Sequence, residues 1–261
     1  HRVDRRQRQM CIRDRNYIKI KKGIILMQNK QFTLTISFII SSLIFLITIF
    51  SVFTKSLWAH ILDLQSFYWF LNTFGEPKMN FKGNWFNDFM TFLASYGDIA
   101  TFITLTLIIA TIVLIKRRFL LAIWLPTTVA SAGIIGIALK DIIHRSRPYD
   151  HLTIDAGFSF PSGHALTSTI VIFALIFVLI SKLGNMWIKC IINTVLIVVW
   201  LGILFSRLYF HAHYLTDVVG GIFFSLSWLF MSLMMYQYML QKVNRRASLQ
   251  QRRQSFQSKR N

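Results

Sequence analysis

Apolar residues are concentrated in six long runs along the chain, and short polar segments separate these runs. A helix needs about 20 apolar residues to cross the hydrocarbon core of a membrane, and each run is close to that length. None of them alternates apolar with polar residues, as the strands of a membrane barrel would. The pattern predicts an all-α, polytopic membrane protein with six transmembrane helices, at about 33–54, 99–115, 119–139, 162–181, 186–205 and 215–236.

The stretch 55–98 has a different pattern. It is apolar only in aromatic-rich patches, and Gly75, Pro77 and Gly83 interrupt it. Aromatic residues are enriched where a protein meets the membrane–water interface. We therefore expect short helices at the interface here, and leave open whether they cover a site as a lid.

Composition supports a membrane protein and excludes other classes. Of the 261 residues, 54% are hydrophobic and 15% are charged, whereas a soluble domain carries about a quarter charged residues. A disordered chain would have low hydrophobicity. The two cysteines are too few for a disulfide framework.

The formal net charge of +19 is unevenly distributed along the chain. With six spans, 22 of the 29 basic residues and only 2 of the 10 acids fall on the side that holds both termini. The positive-inside rule then predicts that both termini are cytoplasmic. No basic groove interleaved with aromatic residues is present, so we expect no nucleic-acid partner; the basic tails are expected to contact anionic lipid headgroups.

The chain divides into three parts by composition. Residues 1–26 form a basic leader that we expect to be non-native or disordered, because the run at 1–15 differs from all that follows and Met27 makes a natural start. Residues 27–240 hold the six-helix domain, and 241–261 form a basic cytoplasmic tail.

Polar residues are costly near a membrane, and here they gather in three clusters on the predicted outer side, at 140–148, 161–164 and 206–217. If the third span continues past Lys140, then Lys140 and Arg147 lie about two turns apart on one helical face. Two fixed cations suit a phosphate group. The alternative is that both are ordinary interface anchors.

The second cluster reads Pro-Ser-Gly-His. Ser162 can cap a helix, Gly163 allows close approach, and the backbone N–H groups of a helix start bind anions. His164 is placed to give a proton to a leaving oxygen. The alternative is a helix cap next to a hydrated histidine.

The third cluster contains His213 and Asp217, four residues apart, which we expect on one helical face. A carboxylate that holds one ring nitrogen leaves the other nitrogen nucleophilic. Arg207 adds another cation. The remaining histidines are expected to be structural or interfacial, namely His60, His144, His151 and His211.

A metal site is the competing interpretation, because His164, His211 and His213 are near one another in the clusters. Four cations would repel a divalent metal there, namely Lys140, Arg145, Arg147 and Arg207. We therefore expect chemistry on an anion with neither a metal nor an organic cofactor.

The clusters read K-x6-R-P, P-S-G-H and S-R-x5-H-x3-D in this order, and the set resembles the signature of the type 2 phosphatidic acid phosphatase (PAP2) superfamily. The resemblance implies that His213 attacks phosphorus to form a phosphohistidine and that Asp217 orients it. It implies that His164 protonates the leaving lipid oxygen and later activates water. The phosphate-binding residues that it implies are Lys140, Arg147, Ser162, Gly163 and Arg207.

The expected function is metal-independent hydrolysis of a lipid phosphate or diphosphate at the outer face of a plasma membrane, with bacteria favoured. The motifs leave open undecaprenyl diphosphate, phosphatidylglycerol phosphate, phosphatidic acid and diacylglycerol diphosphate, and they do not encode the oligomeric state. Two alternatives remain. One is a lipid phosphotransferase that uses the same site, and the other is a non-catalytic lipid-binding or transport protein.

Overall fold

The computed structural model describes residue 29 and the ranges 31–148 and 157–257. These ranges contain helices and no strand. The helix Gly163–Ala174 continues through a π-helical segment, Leu175–Leu179, and a 3-10 turn, Ile180–Lys182. The helices are α1 (Gln31–Phe53), α2 (Leu57–Phe74), α3 (Trp85–Tyr96), α4 (Ile99–Ile115), α5 (Phe119–Ile143), α6 (Gly163–Ala174), α7 (Met186–Tyr209) and α8 (Leu215–Gln257).

The prediction of an all-helical membrane protein is confirmed, with five or six spans. In the described ranges, five helices are long and apolar enough to cross a membrane, namely α1, α5, α6 with its extension, α7 and α8. The remaining predicted span, at 99–115, corresponds to α4, which is shorter. It passes the same test only together with α3, to which it is joined at a bend of 56°. The bend has a local cause: Asp98 Oδ1 accepts a hydrogen bond of 2.8 Å from the N–H of Thr101 and so starts a new helix.

The two ends of the chain were predicted to be a basic leader and a basic tail. The leader at 1–26 lies outside the described residues. The segment 241–257, assigned to a basic tail, continues α8 without a break. At about 1.5 Å per residue this helix is about 65 Å long, well over the thickness of a membrane core.

The α6 helix lies at the centre of the bundle and packs against α4, α5, α7 and α8. Its residues 165–172 are all buried, including three that carry hydroxyl groups. Thr167 and Ser168 donate to the carbonyls of Gly163 and His164, and Thr169 accepts from the indole of Trp200 at 2.9 Å. These bonds satisfy the hydroxyls inside an apolar bundle, where an unpaired polar group would be costly.

The segment 55–98 forms two helices that pack against the bundle. The α2 helix packs against α7 and α8, and α3 packs against α7. Aromatic rings on the three elements α2, α3 and α7 meet in one cluster, formed by Phe70, Phe74, Phe86, Phe205 and Tyr209. This packing fixes α2 against the end of the bundle where α8 begins.

The connectivity brings four helix ends together. Because α5, α6, α7 and α8 alternate in direction, the C-terminal ends of α5 and α7 meet the N-terminal ends of α6 and α8. The three polar clusters lie at these ends and therefore at one end of the bundle.

Gly221 on α8 is a point of close contact with the start of α6. A Cβ atom at this position would lie 2.9 Å from the Ser162 carbonyl oxygen and 3.0 Å from the Ala165 Cβ. We expect Gly221→Ala to destabilise the protein by about 1–3 kcal/mol, because backbone cannot give way as a flexible side chain can. The measurement is thermal unfolding in detergent.

Gly133→Ala on α5 is the matched control, because a Cβ there meets no atom within 4 Å. It is expected to leave the unfolding temperature unchanged or to raise it, since alanine favours the helix. Equal unfolding temperatures for the two variants would contradict the close-contact explanation.

Candidate active site

The first cluster is not helical throughout. The α5 helix ends at Ile143, and His144 adopts a left-handed conformation with φ of 50° that ends it. The expectation that Lys140 and Arg147 share a helical face is therefore wrong. The spacing rule for a helix does not apply once the chain has left the helix, and Arg147 reaches the site from the irregular segment that follows.

Backbone carbonyl groups hold the two cations. The Lys140 Nζ donates to the Phe158 carbonyl at 2.6 Å, and the Arg147 Nε donates to the Gly157 carbonyl at 3.0 Å. One Arg147 Nη also donates to the Ala212 carbonyl at 2.9 Å. Arg147 thus links the segment before α6 to the turn before α8, and Lys140 is bonded to the segment before α6.

The helix start predicted at the second cluster is confirmed. Ser162 is the N-cap of α6, and its hydroxyl accepts from the N–H of Ala165 at 3.5 Å. Its own N–H donates to the backbone carbonyl of Asp217 at 3.1 Å. Gly163 packs closely against α4, since a Cβ there would lie 2.9 Å from the end of the Ile99 side chain.

His164 follows at once and lies among the other predicted groups. Its ring interacts electrostatically with Arg207, His213 and Arg147, and it forms a hydrogen bond with the backbone of Ala94. Arg207 is 1% exposed. The structure therefore brings two histidines and two arginines from all three clusters together, with Arg207 and His213 buried and His164 and Arg147 half-buried.

His213 lies between a carboxylate and a guanidinium. Its Nδ1 is 3.6 Å from Oδ2 of Asp217, and its Nε2 is 3.4 Å from an Arg147 Nη. We expected His213 and Asp217 to share a helical face, but they do not, because α8 begins at Leu215 and His213 precedes it. They are close because Asp217 Oδ2 also accepts from the N–H of Tyr214 at 2.9 Å, which folds the turn over the first turn of α8.

Burial sets the protonation of this imidazole. It lowers the pKa of His213 to about 4; Asp217 opposes this shift, while Arg207 and Arg147 add to it. The ring is therefore neutral at neutral pH. Because a carboxylate only accepts hydrogen bonds, we place the ring proton on Nδ1, which leaves the lone pair of Nε2 on the Arg147 side.

Two further residues belong to the site, and the motifs do not reveal their role. An Arg145 Nη donates to Oδ1 of Asp217 at 2.6 Å, and the other donates to Oδ2 of Asp63 at 2.5 Å. Burial lowers the pKa of Arg145, but Asp217 and Asp63 outweigh it and raise the pKa above its usual value. Arg145 is thus paired with two carboxylates and is not one of the cations directed at an anion.

The signal that could have revealed Asp63 is its place in the sequence. It is an acid within the apolar run LWAHILDLQSFYWF, and such residues are costly unless they have a partner.

The other histidines take different positions. His211 is buried with its ring centroid 4.8 Å from that of Phe67, and the ring of His144 lies 4.2 Å from that of Phe158. His60 is exposed on α2, and His151 lies outside the described residues. Within the described ranges, no three His, Cys, Asp or Glu side chains are grouped as ligands of one metal ion.

An apolar cavity of about 360 Å³ adjoins the site between α4, α5 and α6. Lys140, Pro161 and Gly163 line one end of it, and Pro126 lies at the other. The distance between Pro126 and Lys140 along α5 is about 21 Å, at about 1.5 Å per residue. The walls between are almost entirely hydrocarbon and include Ile99, Ile103, Leu107, Val129, Gly133, Ile137 and Leu166.

Comparison with known proteins agrees with this geometry. The sequence model of the PAP2 superfamily matches residues 121–241, which contain all three clusters. The chain is similar to phosphatidylglycerophosphatase B of Bacillus subtilis (strain 168), with 27% identity over 143 residues, 52% of this chain and 68% of that protein. Its fold is similar to the crystal structure of a transmembrane PAP2-type phosphatidylglycerolphosphate phosphatase from Bacillus subtilis, with a TM-score of 0.66 and 22% identity, covering 77% of this chain and 96% of the other. Residues 121–241 therefore match the PAP2 superfamily, and the bundle that contains them has a fold similar to that of a transmembrane PAP2-type phosphatase.

Proposed function

We propose that this protein hydrolyses a lipid phosphate or diphosphate, without a metal or an organic cofactor, through a phosphohistidine formed on His213. The observation that carries the proposal is the neutral, buried imidazole of His213, with Asp217 on one ring nitrogen and Arg147 on the other. A site that only bound phosphate would be expected to have a cationic side chain at this position, and not a neutral imidazole.

The first chemical step follows from the position of the ring nitrogens. Nε2 of His213 attacks phosphorus and forms a P–N bond as the P–O bond to the lipid breaks. His164 gives its proton to the departing lipid oxygen. Asp217, whose Oδ2 lies 3.6 Å from Nδ1, stabilises the positive charge that the ring acquires.

The second step returns the enzyme to its starting state. Water attacks the phosphohistidine and gives a proton to His164, a P–O bond forms, and the P–N bond breaks to release inorganic phosphate. The groups that hold the phosphate oxygens through both steps are Lys140, Arg147, Arg207, the Ser162 hydroxyl and the N–H of Gly163.

The apolar cavity supports a lipid substrate over a soluble phosphate ester. It begins beside Lys140 and Gly163 and continues along the bundle, so a phosphate at the site could keep its hydrocarbon chain in the cavity. The names of the two relatives make phosphatidylglycerol phosphate the first substrate to test. Undecaprenyl diphosphate, phosphatidic acid and diacylglycerol diphosphate carry the same reactive group.

Charge supports a site on the outer face of a bacterial plasma membrane, with both termini in the cytoplasm. The basic residues at 116–118, Lys182 and Lys189 lie at the end of the bundle opposite the site, and all described acids lie at the site end. This distribution favours the site end outside. We assign catalysis to residues 27–240 and contact with anionic headgroups to the tail at 241–261.

The central test is release of inorganic phosphate from each lipid by purified protein in detergent with EDTA present. We expect His213→Ala to reduce release to background and His164→Ala to reduce it by about 100- to 10,000-fold, since one removes the nucleophile and the other the general acid. His60→Ala, an exposed histidine on α2, is the control and should keep full activity.

Product analysis distinguishes the alternatives in the same assay. Transfer of phosphate to a second lipid in place of release would indicate a phosphotransferase. Activity that survives in His213→Ala would contradict the phosphohistidine mechanism.

The protonation of His213 can be measured without substrate. We expect its ¹⁵N signals to titrate near pH 4, and not near the usual value of about 6.5, so that the ring stays neutral as the pH falls to 5. Comparison with His213→Ala assigns the signals. In Asp217→Asn the midpoint should fall further, because the carboxylate raises the pKa of His213; a midpoint near 6.5 in the unaltered protein would contradict the burial.

The cavity can be filled without touching the site. Gly133 lines the cavity, and no atom blocks a side chain there. We expect Gly133→Leu to raise KM for a long-chain lipid phosphate about tenfold or more, while KM for a short-chain soluble phosphate ester stays the same. The control is Cys190→Leu, at an exposed position on α7. Equal changes for both substrates would show that the cavity does not hold the lipid chain.

A further inference from the structure

We propose that Asp63 and Arg145 are positioning residues for this reaction, which set the charge and orientation of Asp217 and act through it on His213. The inference rests on the proposed function. Neither residue reaches His213, and Asp63 comes from α2, far from the three motif clusters in the sequence.

The contacts fix the Asp217 carboxylate from one side. Arg145 bridges the carboxylates of Asp63 and Asp217 with its two Nη atoms, at 2.5 Å and 2.6 Å. The Tyr214 ring covers the guanidinium, with its centroid 4.4 Å from the Arg145 Cζ. Asp63 is 2% exposed and Asp217 is 0% exposed, so water screens these charges poorly. Oδ2 of Asp217 is left facing Nδ1 of His213 and the N–H of Tyr214.

The balance of charge explains why two acids are needed. An ion pair of Asp217 with Arg145 alone would be neutral and would stabilise poorly the positive charge that develops on His213. Asp63 provides a second carboxylate, so the group of three carries one net negative charge. That charge lies behind His213 on the side away from Arg147.

Asp63 also makes a purely structural contact, which the test must separate from its charge. Its Oδ1 accepts from the Thr216 N–H at 2.9 Å, and its Oδ2 accepts from the Thr216 hydroxyl at 2.8 Å. These bonds satisfy the start of α8, one residue before Asp217. Asn at position 63 would keep an oxygen for the Thr216 N–H, and Asn is as good a partner for helix N–H groups as Asp. Asp63→Asn therefore removes the charge and keeps the bond to the Thr216 N–H, while the bonds that Oδ2 accepts from Arg145 and from the Thr216 hydroxyl are lost.

The test measures kcat and KM for phosphatidylglycerol phosphate, or for whichever lipid the protein hydrolyses best. We expect Asp63→Asn to lower kcat about 10- to 100-fold with little change in KM, because Arg145 then neutralises Asp217 while the phosphate-binding groups remain. The double variant Asp63→Asn with Arg145→Gln should recover about tenfold over Asp63→Asn, because the charge on Asp217 is no longer cancelled. A structural role alone predicts the reverse, since the second change removes further hydrogen bonds.

Two more variants keep the result decisive. In Arg145→Lys, a single ammonium replaces the fork that bridges both acids, so kcat should fall at unchanged KM even if Asp63→Asn does not fold. Asp88→Asn on α3 makes the same chemical change at the same end of the bundle, outside this group, and should behave as the unaltered protein. Full kcat in a folded Asp63→Asn or in Arg145→Lys, or a double variant no better than Asp63→Asn, would overturn the inference.

The His213→Ala variant separates this inference from the proposed function. If His213→Ala is inactive and Asp63→Asn is fully active, only the positioning role fails. If His213→Ala keeps its activity, the phosphohistidine mechanism fails, and the positioning role fails with it.

Discussion

The carboxylate of Asp217 is the point on which the arrangement of this end of the bundle depends. Its side chain accepts from Arg145 and from the Tyr214 N–H and faces His213, and its backbone carbonyl accepts from the Ser162 N–H. One residue thereby joins the segment after α5, the start of α6, the turn after α7 and the start of α8. A buried carboxylate without such partners would be strongly destabilising, so these helix ends are held together by the need to satisfy it.

Burial disfavours a charge on any group at this site, and the neighbouring charges differ from one group to the next. Asp63, Asp217 and Arg145 each have an opposite charge within hydrogen-bonding distance. His213 has a carboxylate on one side but Arg147 and Arg207 on the other, so burial prevails and holds its pKa near 4. Opposite charges thus compensate one another in the Asp63–Arg145–Asp217 group, whereas the imidazole of His213 is neutral, which is the state in which a nitrogen can attack phosphorus.

The length of the apolar runs was enough to predict the helices that lie within the bundle, and the sequence Pro-Ser-Gly-His predicted the start of α6. What they could not predict is where helices stop. Lys140 and Arg147 are spaced as if on one helix, yet His144 ends α5 between them, and His213 precedes the helix that holds Asp217. The motif residues still meet, because tertiary packing of helix ends, and not spacing along one helix, brings them together. The bend between α3 and α4 depends likewise on a local cap at Asp98 that a count of apolar residues does not register.

Asp63 shows why the motif-bearing region is physically incomplete. Residues 121–241 match the family and hold every motif residue, and they also hold Arg145, whose guanidinium binds Asp217. The carboxylate that balances this guanidinium comes from α2, outside the matched region. A chain with the same three motifs and an arginine at this position must supply a second acid from elsewhere, or else leave Asp217 neutralised by Arg145. Under the proposed mechanism, α2 is therefore part of the catalytic unit, since it contributes a charge that the reaction requires and that the motifs themselves do not encode.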